Sequence, residues 1–373
     1  MRRRTVLRTN EHRIASARGA TSARRGARYR ERMRIAVLAG GVGGARFVRG
    51  VRQEVSRNRP GASVDVIVNT GDDWWLAGLR ITPDLDSMLY TLSGQNDEQR
   101  GWGRLGESER VSAELQAYGV TPEWFTLGDL DLGTHIARSA WLREGLTPSE
   151  VVHRLQERWE LGVTLHPATD QQVDTHVVVA DPAAREGSGE RELHFQEWWT
   201  RHRASIPALR FHQHGLHRAI PSAGALDALL DADVVLVAPS NPVVSIGTIL
   251  SIPGMAQAVA ASPGTIVGVS PIIAGSAVRG MAEACLAAIG VEPDAAAVAR
   301  HYGARSRVLL PATGARGLLD GWLLDEEDAG AVEGLEAEGI AARAVPLWMR
   351  DLERAAELAR DAIDFAIELR GAS

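Results

Sequence analysis

Lysine is absent from this 373-residue sequence, in which all 41 basic residues are arginine. A phosphate site must therefore use arginine, backbone N–H groups or a metal ion, and a lysine-bearing Walker loop is excluded. Cysteine is almost absent too, since Cys285 is the single one and no disulfide can form within the chain. Its helical-looking context, "GMAEACLAAIG", indicates a small buried core residue rather than a nucleophile. A single cysteine without a disulfide partner fits a reducing compartment, and we expect a cytoplasmic protein.

Long apolar runs and two common hydrolase motifs are also missing. No apolar stretch reaches the roughly 18–20 residues that a membrane-spanning helix needs, so we expect no membrane partner. Neither G-x-S-x-G nor H-E-x-x-H occurs, and the corresponding serine and zinc hydrolases are therefore not supported. A composition of 45% hydrophobic and 24% charged residues is ordinary for a soluble globular protein.

Charge is distributed unevenly along the chain. Residues 1–32 contain 11 arginines and only two acidic residues, which leaves 30 arginines against 45 acidic residues and a net charge of −15 in the remainder. Such a leader is typical of a targeting peptide or a nucleic-acid arm, or it results from a start assigned upstream of Met33. We favour the last reading because nucleotide-binding folds often begin with a strand, here "RIAVLAGG". The acidic body argues against a nucleic-acid partner.

Short apolar strands alternate with helices over most of the chain and predict an α/β fold. Strands are expected in "RIAVLAGG", "SVDVIVNTGDD", "DADVVLVAPSNP", "GTIVGVSPIIAG" and "GLLDGWLLDEED". This pattern indicates a Rossmann-like, mostly parallel sheet with helices on both faces. We expect a single domain over 33–373, with an α/β core at 33–90 and 216–373.

The segment 91–215 departs from this alternation and is expected to be a mainly helical insertion. Thr147, Pro148 and Glu150 predict a helix that begins with a capping box. "VDTHVVVADPAAREGSGERELHF" predicts one hairpin turning at "EGSG", and 182–191 is the expected mobile loop.

A glycine loop follows the first strand and opens the first helix, with Gly40, Gly41, Gly43, Gly44 and Arg46. Glycines let the backbone approach a phosphate, and a helix amino terminus favours its negative charge. Arg46 stands where the dinucleotide fingerprint has its third glycine, so the loop indicates a phosphate-bearing ligand better than it indicates NAD.

Two further loops end predicted strands. "PSNP" contributes Ser240 and Asn241, and "SPIIAG" contributes Ser270. Ligands of open parallel sheets bind outside the carboxyl ends of the strands, so these loops are expected beside the glycine loop.

Other motifs are weaker. "LGDLDLGTHIARSAWL" places Asp129, Asp131 and His135 at the start of a helix, where one aspartate could serve the turn alone. "HFQEWW" combines Phe195, Gln196 and adjacent tryptophans, which suit a flat heterocycle but also a core. "FHQHGLH" offers three histidines, yet no cysteine or acidic partner has fitting spacing, so the sequence disfavours zinc.

Four aspartates cluster in "NTGDDWWLAGLRITPDLD", which follows the second strand. Asp72 and Asp73 come directly after the strand, whereas Asp84 and Asp86 start the next helix. Any one of them could be a helix cap or a turn residue. One or two carboxylates with substrate phosphates are a typical magnesium site, so together they predict bound Mg²⁺.

These motifs together resemble the 2-phospho-L-lactate transferase and phosphoenolpyruvate transferase family of coenzyme F-420 biosynthesis. The resemblance runs from about Met33 to the carboxyl end and rests on "AGGVGGARFVRG", "NTGDDWWLAGLRITPDLDSMLYTL", "RGWG", "LGDLDLGTHIARS", "HPATDQQVDTHV", "HFQEWW", "APSNPVVSIGTILSIPGM" and "VGVSPIIAG". It implies transfer of a phosphorylated three-carbon acid, enolpyruvyl or lactyl, from a guanosine diphosphate conjugate to the terminal hydroxyl of the deazaflavin Fo, with release of GMP. It also implies a homodimer. We transfer nothing onto "ARSRVLLPATGARGLLD", which is longer than the family's usual connection.

The resemblance also implies roles for particular residues. Mg²⁺ would be held by Asp73 with Asp84 or Asp86, and Asp73 or Asp84 would accept the hydroxyl proton. The glycine loop, Asn69, Ser240, Asn241 and Ser270 would bind the guanosine conjugate. Asp129, His135, Phe195 and Gln196 would shape the Fo side.

Two alternatives remain open from the sequence. The glycine loop allows a nicotinamide-dependent oxidoreductase, and the fold allows a non-catalytic nucleotide-binding regulator. The combination of "PDLD" and "HFQEWW" favours the transferase over the regulator.

Overall fold

The computed structural model describes residues 33–181, 189–278, 280–305 and 317–372. The leader 1–32, most of the expected mobile loop and most of "ARSRVLLPATGARGLLD" lie outside the described residues. In the described parts, no helix combines the length and apolarity needed to cross a bilayer.

Fourteen strands are present in the described residues. They are β1 (Arg34–Ala39), β2 (Ser63–Val68), β3 (Trp74–Leu76), β4 (Leu79–Ile81), β5 (Thr164–Pro167), β6 (Asp174–Ala180), β7 (Glu190–His194), β8 (Ala208–His214), β9 (Val234–Val237), β10 (Thr265–Val269), β11 (Ile272–Ile273), β12 (Ser276–Ala277), β13 (Gly321–Leu324) and β14 (Ala341–Ala344).

Twelve α-helices connect these strands in the described residues. They are α1 (Gly41–Asn58), α2 (Pro83–Ser93), α3 (Arg110–Ala117), α4 (Asp129–Arg143), α5 (Pro148–Gln156), α6 (Ala223–Asp231), α7 (Ile246–Ser251), α8 (Met255–Ala261), α9 (Ala282–Ala288), α10 (Ala295–Tyr302), α11 (Val332–Ala337) and α12 (Leu352–Ala372). Short π- or 3₁₀-helical turns occur at Glu197–Arg201, Leu216–Arg218 and Glu326–Ala331.

Seven parallel strands form the main sheet in the order β14-β13-β10-β9-β1-β2-β5. Successive side chains of a strand point to opposite faces, and both faces are buried here. In β1, Ile35, Val37 and Ala39 pack with α1, α2 and α12, whereas Ala36 and Leu38 pack with the helices of the opposite face. The predicted α/β class, with a parallel sheet covered on both faces, is confirmed.

Helices α1 and α12 pack against each other on one face of the sheet. A Cβ atom added at Gly50 would lie 2.2 Å from the carbonyl oxygen of Ala355, so any side chain there would push the helices apart. Glycine at this position therefore sets the distance between the two helices.

The segment 91–215 contains α3, α4, α5 and a three-stranded antiparallel sheet in the order β7-β6-β8. The hairpin of β6 and β7 was predicted, and β8 is an additional strand. The predicted capping box of α5 is confirmed, since Glu150 N donates to Thr147 Oγ1 at 3.3 Å and Thr147 N donates to Glu150 Oε2 at 2.7 Å. The segment also supplies β5 to the main sheet, so it is not wholly outside the core.

Candidate active site

A cavity of about 630 Å³ lies at the carboxyl edge of the main sheet. The loops after β1, β2, β9 and β10 line one side of it, and residues of α2, α4 and the 91–215 segment line the other. An opening outside the carboxyl ends of parallel strands is the position where such sheets bind ligands.

The glycine loop forms the floor of the cavity. Gly40 N donates to Ser240 Oγ at 3.0 Å, and Ser240 Oγ donates back to Gly40 O at 2.8 Å, which ties the loop to the end of β9. A Cβ atom at Gly40 would lie 2.5 Å from Asp84 Oδ2, and one at Gly44 would lie 2.5 Å from Ser240 Oγ. Gly40, Gly41 and Gly43 line the cavity, whereas Gly44 packs behind it. Gly41 N bonds the carboxylate of Asp84, and the other first-turn N–H groups of α1 have no intrahelical acceptor and can bind an anion there.

Arg46 lines the cavity one turn further along α1. Within the described parts of the chain, its guanidinium forms no hydrogen bond or ion pair, whereas the neighbouring Arg49 is paired with Glu98 at 2.7 Å. An unpaired arginine beside a helix amino terminus provides the positive charge that a phosphate needs in a chain without lysine.

Asn69 does not line the cavity but positions a residue that does. Its Nδ2 donates to Asp84 Oδ2 at 2.9 Å and to the Val244 carbonyl at 3.2 Å, while its Oδ1 accepts from Gly71 N at 3.0 Å. Asn69 therefore fixes the orientation of the Asp84 carboxylate at the cavity wall.

Three of the four clustered aspartates, Asp72, Asp84 and Asp86, line the cavity, and all four are buried. Burial raises the pKa of Asp72 well above its usual range, and the charges of Asp84 and Asp73 raise it further against the hydrogen bond from Asn69. Burial also raises the pKa of Asp84 to about 6, opposed by hydrogen bonds from Asn69 and Gly41. Asp72 Oδ1 is buried without a hydrogen-bond partner. Asp72 and Asp84 therefore form a buried acidic pair that a cation would stabilise.

Asp73, which the sequence favoured as metal ligand and base, does not line the cavity. Its Oδ2 lies 3.6 Å from Arg80 Nη2, and Arg80 also contacts Asp174 at 3.4 Å. Burial raises the pKa of Asp73 to about 8, although Arg80 and Arg138 act to lower it. Asp73 Oδ1, like Asp72 Oδ1, is buried without a hydrogen-bond partner, and the metal and base roles of Asp73 stay predictions. The turn after β2 directs Asp72 rather than Asp73 to the cavity.

Asp86 belongs to a buried network with α4. Arg138 Nη2 donates to Asp86 Oδ1, and Arg138 Nη1 contacts His135 Nδ1 at 2.8 Å. The other ring nitrogen of His135, Nε2, lies 3.2 Å from Asp131 Oδ1. Tyr90 completes the network by donating to Asp131 Oδ1 at 2.6 Å.

Asp86, Asp131 and His135 are close enough to hold a metal ion. The guanidinium of Arg138 already contacts Asp86 and His135 and offsets one of the two carboxylate charges of the cluster. Thr82 Oγ1 also donates to Asp86 Oδ2 at 3.1 Å. With both of its oxygens engaged, Asp86 fits the expected metal role less well than Asp72 does.

Aromatic side chains form the wall opposite the glycine loop. Phe195 and Gln196 line the cavity together with Trp199, whose ring centroid lies 5.3 Å from that of Phe195. Trp198 is instead a core residue, fully buried, with Nε1 donating to the Ile206 carbonyl at 2.7 Å. Sequence reasoning missed four further lining aromatics, which are Tyr90, Trp102, Trp124 and Phe125.

The remaining expected residues divide into two groups. Ser240, Asn241, Ser270 and His135 line the cavity. Asp129 does not, because its carboxylate accepts hydrogen bonds from Ser108 Oγ and, at 3.2 Å, from Val111 N. These bonds tie the start of α4 to the start of α3.

Arg138 and Tyr90 were also missed. Tyr90 follows Asp86 by four residues on α2, a spacing that puts both on one helical face and was available as a signal. Arg138 had no local signal, because only the packing of α4 against α2 brings its guanidinium to Asp86.

The sequence is similar to a known protein family. A family model described as "2-phospho-L-lactate transferase CofD" matches residues 35–359. A phosphoenolpyruvate transferase of Thermobifida fusca is 52% identical over 342 residues, covering 91% of this chain and 99% of the relative. One of Streptomyces coelicolor is 51% identical over 341 residues, covering 91% and 100%.

Solved structures give the fold alone. Crystal structures of a Bacillus halodurans protein of the UPF0052 family superpose with a TM-score of 0.55 at 15% identity, and the superposition covers 89% of this chain. The family model covers most of the chain, and the relatives share about half of its residues. The parallel sheet and the cavity at its carboxyl edge agree with this match. The chain belongs to the 2-phospho-L-lactate transferase CofD family and is a transferase of coenzyme F-420 biosynthesis.

Proposed function

We propose that the chain transfers a phosphoenolpyruvyl or 2-phospho-L-lactyl group from a guanosine diphosphate conjugate to the terminal hydroxyl of Fo. GMP is released, and dehydro-coenzyme F-420-0 or coenzyme F-420-0 is formed. The observation that carries this proposal is the convergence of Asp72, Asp84 and the amino terminus of α1 in one cavity. The names of the relatives favour the enolpyruvyl donor.

Mg²⁺ fits the carboxylates of Asp72 and Asp84. Both are buried, each lines the cavity, and Asp72 has an oxygen without a partner. Carboxylate oxygens are the ligands that Mg²⁺ prefers, with substrate phosphates completing its shell. When bound, the ion supplies positive charge beside the diphosphate of the donor.

The donor phosphates belong at the glycine loop. The N–H groups of the first turn of α1 and the unpaired guanidinium of Arg46 bind their oxygens. Ser240, Asn241 and Ser270 lie beyond this loop at the ends of β9 and β10 and offer polar groups to the nucleoside. This arrangement directs the phosphorus that is attacked toward Asp84.

The flat deazaflavin belongs against the aromatic wall. Trp199, Phe195 and Trp124 offer ring faces, and Gln196 offers an amide for the edge of the heterocycle. A ligand held there extends its hydroxyl chain across the cavity toward the acidic pair.

The transfer then requires positioning and charge neutralisation rather than a covalent nucleophile. The Fo hydroxyl oxygen forms a bond to the phosphorus that carries the three-carbon acid, and the bond from that phosphorus to the GMP oxygen breaks. Asp84, with its pKa of about 6, is ionised at neutral pH and is suited to hold a cation or to accept the hydroxyl proton. The apolar wall excludes water, which would otherwise compete with the hydroxyl.

The test is incubation of the purified chain with Fo, Mg²⁺ and each guanosine conjugate, followed by mass analysis of products. We expect a condensed product and GMP, with Asp72→Asn lowering turnover by at least about 100-fold, a loss typical of a removed electrostatic contact. Asp73→Asn is the matched control and should retain more activity. Equal losses in both variants would contradict the assignment of Asp72, and absence of product with either donor would contradict the proposed reaction.

The homodimer and the cytoplasmic location stay predictions. Light scattering of the purified chain measures the first, and fractionation of producing cells measures the second.

A further inference from the structure

A second group of ligand-type side chains lies outside the cavity, on one face of the antiparallel sheet β7-β6-β8. The strand registers place His176 opposite His194 on β7 and opposite His212 on β8. Alternation then brings Glu192 and His214 to the same face. The other face carries Val177, Val179 and Leu193 into the core.

Glu192 is the centre of this group. Its Oε1 lies 2.9 Å from His214 Nε2, 3.2 Å from His212 Nδ1 and 3.9 Å from His176 Nδ1. The imidazole rings also pack together, with centroids 4.3 Å apart for His176 and His214 and 4.5 Å apart for His212 and His214. Three strands thus direct nitrogen and oxygen donors to one point.

These separations approach those of a zinc site. Zinc binds imidazole nitrogen and carboxylate oxygen at about 2.0–2.2 Å in tetrahedral geometry, so neighbouring ligand atoms are about 3.3 Å apart. One ligand atom each of His176, Glu192 and His214 lies within 4.8 Å of the other two, so small side-chain rotations give coordination distances. His212 is next to the shared oxygen and can supply the fourth ligand.

We propose that His176, Glu192 and His214 bind a zinc ion on the exposed face of the antiparallel sheet. Two imidazoles and one carboxylate suit zinc, whereas Mg²⁺ prefers oxygen ligands and retains its waters. The segment "FHQHGLH" alone disfavoured zinc because the other two ligands, Glu192 and His176, are distant from it in sequence. Only the strand pairing brings them together.

The zinc ion would fix the segment that forms the aromatic wall. The ring of His176 contacts that of His194, with centroids 5.3 Å apart, and His194 stacks on Trp74 at 5.0 Å. Phe195 and Gln196 directly follow His194 and line the cavity. Linking β6, β7 and β8 through a metal therefore holds the start of that wall.

The experiment uses the full chain without an affinity tag, stripped with EDTA and exchanged into millimolar Mg²⁺. Titration with Zn²⁺ against a chromophoric chelator should show one zinc ion per chain at micromolar affinity or tighter. His176→Ala, His214→Ala and Glu192→Gln should each weaken binding by at least about tenfold, the loss that even outer-shell changes cause. Zinc should also raise the melting temperature of the wild-type chain and not that of these variants.

Two controls separate this site from others. His217→Ala removes another exposed histidine three residues after His214 and should leave zinc binding unchanged. Asp84→Asn should also bind zinc normally, which excludes zinc in the cavity as the source of the signal. Circular dichroism of each variant checks its folding. The proposal would be overturned if the wild-type chain bound zinc more weakly than micromolar. It would also be overturned if His176→Ala and His214→Ala bound zinc with the affinity of the wild-type chain.

Discussion

Neutralising Asp84 should stabilise the metal-free protein while it impairs the enzyme. The Asp84 carboxyl is buried, and burial raises its pKa from 3.8 to about 6. The folded chain therefore binds this proton more tightly than the unfolded chain does. Stability contributed by the protonated carboxyl is lost as the pH rises from about 4 through about 6.

The size of the effect follows from the shift. Each pKa unit corresponds to 1.36 kcal/mol, so the ionised Asp84 lowers the free energy of unfolding by about 3 kcal/mol at pH 8. In Asp84→Asn one amide oxygen replaces two carboxylate oxygens, and one of the hydrogen bonds from Asn69 and Gly41 is weakened. That loss is about 1 kcal/mol, which leaves a net gain of about 2 kcal/mol.

Urea denaturation in EDTA at pH 8 measures this gain, and repeating it at pH 4 should remove most of it because Asp84 is then protonated in the wild type. Adding Mg²⁺ should raise the midpoint of the wild-type chain and not that of Asp84→Asn. Asp73→Asn is the matched control and should retain the response to Mg²⁺. If Asp84→Asn keeps its native circular dichroism but is less stable than the wild type in EDTA at pH 8, burial of the ionised carboxylate does not destabilise the fold.

Three further substitutions test other parts of the structure. Arg46→Ala removes an unpaired guanidinium and should raise the KM for the guanosine conjugate about tenfold with a smaller effect on kcat; steady-state kinetics would contradict this if only kcat fell. Gly50→Ala places a Cβ 2.2 Å from the Ala355 carbonyl oxygen and should cost about 1–3 kcal/mol in urea denaturation, whereas Gly133→Ala on α4 has open space and should be neutral or stabilising. Thr147→Ala breaks the capping box of α5 and should cost about 1 kcal/mol by the same measurement, and an unchanged midpoint would show that the cap contributes nothing.

Most strands of the main sheet were predicted from the sequence, because an apolar run of neighbouring residues indicates a buried strand. Five of the seven strands of the main sheet are mainly apolar, and these were predicted. The two that were not, β5 and β14, read "TLHP" and "AARA" and lack such a run. Their strand structure comes from pairing with β2 and β13, a tertiary contact that no local pattern contains.

The chemistry of the cavity divides in the same way. From the sequence, a glycine loop and an acidic cluster were predicted to meet at one edge of the sheet, because the carboxyl ends of parallel strands share that edge. Which carboxylates face the cavity depends on the folded chain, because the turn after β2 directs Asp72 inward and leaves Asp73 beside Arg80. The ion pair of Arg138 with Asp86 and the contacts of Glu192 with the histidines of β6 and β8 also come from the folded chain, since each contact joins residues distant in sequence.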